Sequence, residues 1–205
     1  NFKGILAKIA DLTAELDIPV IVKETGTGIA AEEAKKLEDA GVKAIDVGGL
    51  GGTSFAAVEQ QRTNTKENQL QKFLGETFWD WGIPTATSIV EIAQTVKIPI
   101  ISSGGIRNGS DIAKSVTLGT RLAGLSQPIL QTAVKGVDET ESLLTLLIEE
   151  LRNIMFLVGA ANIEHLTKAP VVITGKTAQW LKTRGFNVEN YAKRSIAQSE
   201  HRKVS

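Results

Sequence analysis

The sequence contains no cysteine. That excludes disulfides, thiolate zinc sites, iron–sulfur clusters and cysteine nucleophiles from this stretch of protein. Net charge is equally lacking. The 23 Lys and Arg residues balance 23 Asp and Glu, so no overall field draws the chain to nucleic acid or to an anionic membrane, and any anion must be bound locally. No apolar run approaches the roughly 20 residues of a membrane span, and the first residues carry no signal-peptide pattern. A soluble cytoplasmic protein is the expectation, with no nucleic acid and no membrane among its partners. Only two histidines occur, His165 and His201; neither has a carboxylate at useful spacing, and both read as surface residues. The chain opens on Asn1 rather than Met, which points to a processed protein or a fragment.

What is present is a globular composition: 205 residues, 42% of them hydrophobic, enough for one sizeable core. Ile5, Ile9, Leu12 and Leu16 recur at helical spacing over 3–17, and Asp17-Ile18-Pro19 stops that helix before "VIVKE", a buried strand. From Ala30 the pattern is helical again, with Ala34 and Leu37 on one face and Gly41 as the stop. "KAIDVGG" is a second strand. From Thr53 to about Trp81 the chain is polar, an insertion whose "RTNTKENQLQ" suits a solvated loop or exposed helix, with Trp79 and Trp81 as its packing anchors. Then come a helix in "ATSIVEIAQTVKI", a strand in "PIISSGG", a helix in "NGSDIAKSVTLG" begun by Asn108 or Ser110 and ended by Gly119, and a strand in "TRLAGLS". Residues 140–158 carry Leu144, Leu147, Leu151, Ile154 and Val158 on one helical face. The strands are continuous apolar runs alternating with helices, the pattern of a parallel α/β sheet. A doubly wound sheet and part of a (β/α)8 barrel both fit.

Two phosphate motifs compete. Gly26-x-Gly28-x-x-Ala31, with Asp46 about 20 residues on, has the outline of a dinucleotide fingerprint. Against it, Lys23-Glu24-Thr25 intervene between the strand and the first glycine. "ITGKT" is not a Walker loop, because the position five before Gly175 is Pro170. The stronger pattern is collective. Lys23, Gly48-Gly49, Ser103-Gly104-Gly105 and Ala123-Gly124 stand at the carboxyl ends of successive strands, which in a barrel converge on one face. In "SSGGIRNGSD" the glycines allow close approach of backbone to an anion, the next helix offers its N-terminal amides, and Arg107 adds a guanidinium. The four glycines of "GGLGGTSF" suit packing against a planar ligand.

Taken in order, "PVIVKETGTGIAAEEAKKLEDAGVKAIDVGGLGGTSF", "WGIPTATSIVE", "PIISSGGIRNGSDIAKSVTLGTRLAG" and "ITGKTAQWLKTRG" resemble the carboxyl-terminal part of the type 2 isopentenyl diphosphate isomerases. The resemblance implies an FMN-dependent (β/α)8 TIM barrel of which this chain holds about the last four strand–helix units: residues 1–192 as the barrel half and 193–205 as a polar basic tail. It implies interconversion of isopentenyl and dimethylallyl diphosphate with reduced flavin acting in proton transfer, with Mg2+ and NADPH as further requirements, in a homo-oligomer. Carried over by position, it implies FMN contacts at Lys23, Gly48, Thr53, Gly104, Gly105, Ile106, Arg107, Ala123 and Gly124, no metal ligand in this chain, and catalytic residues upstream of Asn1. Gly48 stands where the family pattern has Ser, and Leu125-Ser126-Gln127 departs from the family's Met-Ala type. Other flavin barrels, such as IMP dehydrogenase and glutamate synthase, would need cysteines, and the hydroxy-acid oxidases a strand-end histidine. An FMN-dependent oxidoreductase of unassigned substrate and a non-catalytic phosphate-ligand module are the rival readings.

Overall fold

A computed structural model describes residues 3–62 and 69–195; residues 63–68, most of the expected basic tail and His201 lie outside it. Four short strands, β1 (Ile21–Lys23), β2 (Ala44–Asp46), β3 (Ile100–Ser102) and β4 (Leu122–Ala123), form one parallel sheet in the order β1-β2-β3-β4. A doubly wound sheet reverses its strand order at a switch point, whereas a barrel adds each strand beside the last. The sequential order is that of a barrel arc.

Between the strands run α2 (Ala31–Asp39), α5 (Thr85–Ala93) and α6 (Gly109–Leu118), with α1 (Ile5–Glu15) before them; α3 (Phe55–Arg62) and α4 (Gln69–Thr77) pack on each other in the insertion. After β4 come α7 (Gln127–Ala133), α8 (Val137–Leu157), α9 (Ile163–Thr167), α10 (Gly175–Thr183) and α11 (Glu189–Ala192). Expected helices and strands are all present, but the strands are shorter than the apolar runs because regular pairing gives way to glycine turns. The ladder nonetheless continues past the named strands: Glu24 N donates to Asp46 O (3.1 Å), Gly49 N to Ser103 O (2.9 Å) and Gly124 N to Ser102 O (2.7 Å). No sequence pattern marks α7, α9, α10 or α11; each is short and lacks a long apolar stripe.

Side-chain alternation divides the sheet's two faces. Val22, Ile45 and Ile100 point to the helices, where they join Leu37, Ile89, Ile92 and Leu181 in the main core. On the other face lie Ile21, paired with Ala44, and the row Asp46, Ile101 and Leu122, paired in turn by register. That face has no covering layer among the described residues: Ile21 is 51% exposed and Leu122 62%. A second core joins Ala113 and Val116 of α6 to Leu166 of α9 and to Leu151, Ile154 and Met155 of α8. Trp81, expected as a packing anchor, is instead 68% exposed, with the edge of the Phe78 ring 5.7 Å away, centroid to centroid.

Helix α10 is fastened by a buried carboxylate. Glu91 of α5, fully buried, accepts Trp180 Nε1 (2.9 Å), Arg184 Nη2 (2.9 Å) and the Ala31 amide at the start of α2 (3.2 Å). Arg184 also reaches Glu32 (2.7 Å). One carboxylate therefore joins three helices.

Candidate functional site at the carboxyl ends of the strands

The loops after β1, β2, β3 and β4 enclose a cleft of about 280 Å³ at the carboxyl end of the sheet. Of the expected contact residues, Lys23, Gly48, Thr53, Gly104, Gly105, Ile106, Arg107 and Gly124 line it together. Ala123 does not; it is the last residue of β4, paired with Ser102. His165 is partly buried on α9, away from the cleft.

The first loop answers the dinucleotide reading. The amides of Gly26, Thr27 and Gly28 all donate to Glu24 Oε2, at 2.6, 2.5 and 3.1 Å. Three convergent amides make a nest for an anion, and here the chain's own carboxylate fills it. The first amide of α2 is bonded to Glu91 as well, so neither part of a dinucleotide phosphate site is free. Lys23-Glu24-Thr25, the feature that disturbed the fingerprint, is the physical reason.

The second and third loops interlock. A Cβ on Gly104, whose φ is 100°, would stand 2.1 Å from Gly49 O, and one on Gly48, φ 47°, only 1.9 Å from Glu24 O. The glycines of "GGLGG" and "SGG" therefore bring backbone against backbone, a tighter use than the expected packing against a planar ligand. At Gly48 no side chain fits without the backbone shifting. Arg107 buckles the loops together, Nη1 donating to Gly105 O and Nη2 to Gly51 O, both at 2.7 Å.

The helix after "GGIR" differs from expectation. Asn108 is the N-cap of α6, its side chain accepting from Asp111 N (2.8 Å); Glu150 of α8 accepts from Gly109 N (2.5 Å), and Asp111 accepts from Arg107 N (3.1 Å). The amides of Gly109 and Asp111 are thus taken by the chain's own groups, and the Gly124 amide is spent on the ladder. Among the described residues, the amides of Gly104, Gly105 and Ile106 have no acceptor. They are donors open to an anion, as are the amides of Gly52 and Thr53 in the second loop and the remaining N–H groups of Arg107.

Beside them stands a compact charged cluster. Lys23 Nζ donates to Asp46 Oδ2 (2.7 Å) and Ser103 Oγ (2.9 Å), and Ser103 Oγ donates to Asp46 Oδ1. Asp46 and Ser103 were legible as strand-end residues, but their pairing with Lys23 was not; the signal was their shared parity on adjacent strands. Ser126 and Gln127 also enter the lining, unanticipated.

An arc of parallel strands with its donors gathered at the carboxyl ends defines half of a (β/α)8 barrel and the functional face of that half. The sequence matches the FMN-dependent dehydrogenase family over residues 5–173, and the chain belongs to that family. It is 48% identical over 192 residues to the isopentenyl-diphosphate delta-isomerase of Methanothermobacter thermautotrophicus, a match covering 94% of this chain and 53% of that protein. The protein of the same name from Thermococcus kodakarensis is 48% identical over 185 residues, 90% of this chain and 49% of its own length. The chain thus spans about half the length of the curated relatives it matches. Among solved structures, mandelate oxidase superposes with a TM-score of 0.58 at 26% identity, covering 79% of this chain and 40% of that one. No helix among the described residues is long and apolar enough to cross a membrane.

Proposed function

We propose that this chain is the flavin-phosphate-binding half of an FMN-dependent isomerase that interconverts isopentenyl and dimethylallyl diphosphate. The observation that carries the reading is the convergence of Lys23, Arg107 and the acceptor-free amides of Gly104 to Ile106 in one strand-end cleft. It does so in a sequence 48% identical to proteins of that name.

The cleft fits an anionic group. Its lining carries Lys23 and Arg107, and its one carboxylate, Glu24, has Oε2 engaged by three amides of the first loop. The amides of Gly104, Gly105 and Ile106 would hold the FMN phosphate, with Arg107 keeping their loop in place. Thr53 and Gly48 would bound the ligand along the second loop. Lys23 would offer an N–H to the flavin's electron-accepting edge. Bound FMN, once reduced, would supply the electron-rich centre that an allylic proton transfer needs. No histidine lines the cleft, which separates this reading from hydroxy-acid oxidation.

The proposal extends to Mg2+ and NADPH as requirements of the complete enzyme, to a cytoplasmic setting and to a homo-oligomer, with 1–192 as the barrel half and 193–205 as a tail. Among the described residues no group of three His, Cys, Asp or Glu could hold a metal ion. We place the metal-binding and acid–base groups in the half of such enzymes that this chain does not span. The test is conversion of isopentenyl diphosphate by the chain with FMN, NADPH and Mg2+, alone and mixed with the amino-terminal half of the Methanothermobacter enzyme. Turnover only in the mixture is expected. Turnover by the chain alone, or none in a mixture that forms a complex, overturns the reading.

A further inference from the structure

Lys23, Asp46 and Ser103 form a closed hydrogen-bond ring whose members come from three adjacent strands or their ends. The ammonium donates to the carboxylate and to the hydroxyl, and the hydroxyl donates to the other carboxylate oxygen. Asp46 Oδ1 also accepts from Gly48 N at 3.3 Å. The ring is asymmetric in burial: the Lys23 side chain is 53% exposed, that of Asp46 14%, and Ser103 is buried at 6%. Two of the three ammonium donors are thus fixed from below, leaving one for the cleft that Lys23 lines.

The charges of the ring sum to zero. A lysine on its own would present a full positive charge to the cleft, but at 2.7 Å the Asp46 carboxylate cancels most of that field beyond the pair. A surface ion pair of this kind adds little to stability, and Lys23 has no packing role that requires a charged partner at a strand end. What the arrangement does accomplish is to hold an N–H donor in place while withholding net charge.

We propose that Asp46 and Ser103 are positioning residues for Lys23, and that Asp46 sets how strongly the cleft prefers the reduced, anionic form of a flavin over the oxidised, neutral form. The inference rests on the FMN reading above and deepens it. Ser103 fixes direction, because it bonds both charged members without adding charge. Asp46 fixes magnitude, because it is the only anion in the ring.

The experiment begins with FMN titration of the parent chain, followed by spectroelectrochemical potentials of the bound flavin in the variants. Asp46→Asn leaves an uncompensated ammonium, so the reduced flavin should gain about tenfold over the oxidised form, moving a two-electron midpoint up by about 30 mV. Lys23→Met should move it down. The double variant Lys23→Met/Asp46→Asn should lie above Lys23→Met, and it carries the comparison if Asp46→Asn alone does not fold, since it leaves no unpaired charge. Ser103→Ala should weaken FMN binding and leave the potential within about a third of the Asp46→Asn displacement. A merely structural Asp46 would weaken both flavin forms alike and leave the potential where it was, which overturns the inference while the FMN reading stands. If the parent binds no FMN, the functional reading falls and the inference with it.

Discussion

At the scale of single residues, the cleft is made as much by what the chain spends as by what it leaves free. Glu24 consumes the three amides of the first loop, and Asn108, Asp111 and Glu150 consume the start of α6. Composition and spacing cannot show this, because a glycine loop filled from within has the same sequence as one open to a ligand. The strand-end glycines and Lys23 were legible for a different reason: apolar runs end abruptly at them, and parallel strands bring such ends together. Arg107 occupies a position between the two cases, since its guanidinium clamps Gly51 and Gly105 while its lining position faces the proposed anion. Arg107→Ala should lower FMN affinity by about 1.5–3 kcal/mol, the value of a hydrogen bond to a charged group. Equilibrium dialysis of FMN against the variant measures it, and an unchanged constant would remove Arg107 from the site.

At the scale of elements, the barrel units were readable and the carboxyl-terminal helices were not. Helical spacing marked α1, α2 and α8, and Asn108 and Gly119 marked the ends of α6. The attachment of α10 depends instead on Glu91 meeting Trp180 and Arg184, 89 and 93 residues further along. No local pattern carries such a contact. Arg184→Met would leave the buried Glu91 carboxylate without its counter-charge, a loss of about 3–5 kcal/mol for a buried pair, with the lower end expected because Arg184 is itself 36% exposed and screened. The urea midpoint measures it. The same cluster has an acid signature. The hydrogen bond from Arg184 holds the Glu32 carboxyl down to about 2 from its usual 4.5. A depressed carboxylate contributes stability above its unfolded value and loses it as the pH falls through the folded one. Glu32→Gln should therefore flatten the decline in stability between about pH 4.5 and 2; an identical acid limb in parent and variant would show that the pair contributes nothing.

At the scale of the whole molecule, the sheet is an arc whose two edges are unpaired and whose one face is bare among the described residues. The inner-face residues Ile21 and Leu122 are exposed, as are Leu130 of α7, Val134 just after it, and Phe156 and Leu157 of α8. Parallel sheets are ordinarily covered on both faces, and unpaired apolar edges recruit further strands. The isolated chain should accordingly self-associate, with a mass by light scattering that rises with concentration and a strong response to a hydrophobic dye. A monodisperse monomer across the range would show that the exposed face is tolerated. The central claim concerns the cleft rather than the edges: four strand ends bring together an anion site that takes the phosphate of FMN. It is tested most directly by titrating the 205-residue chain with FMN and following flavin fluorescence, with riboflavin, which lacks the phosphate, as the comparison. Saturable quenching by one FMN per chain, with riboflavin bound at least tenfold more weakly, is the predicted result; equal binding of the two, or no saturable binding of FMN, would contradict it.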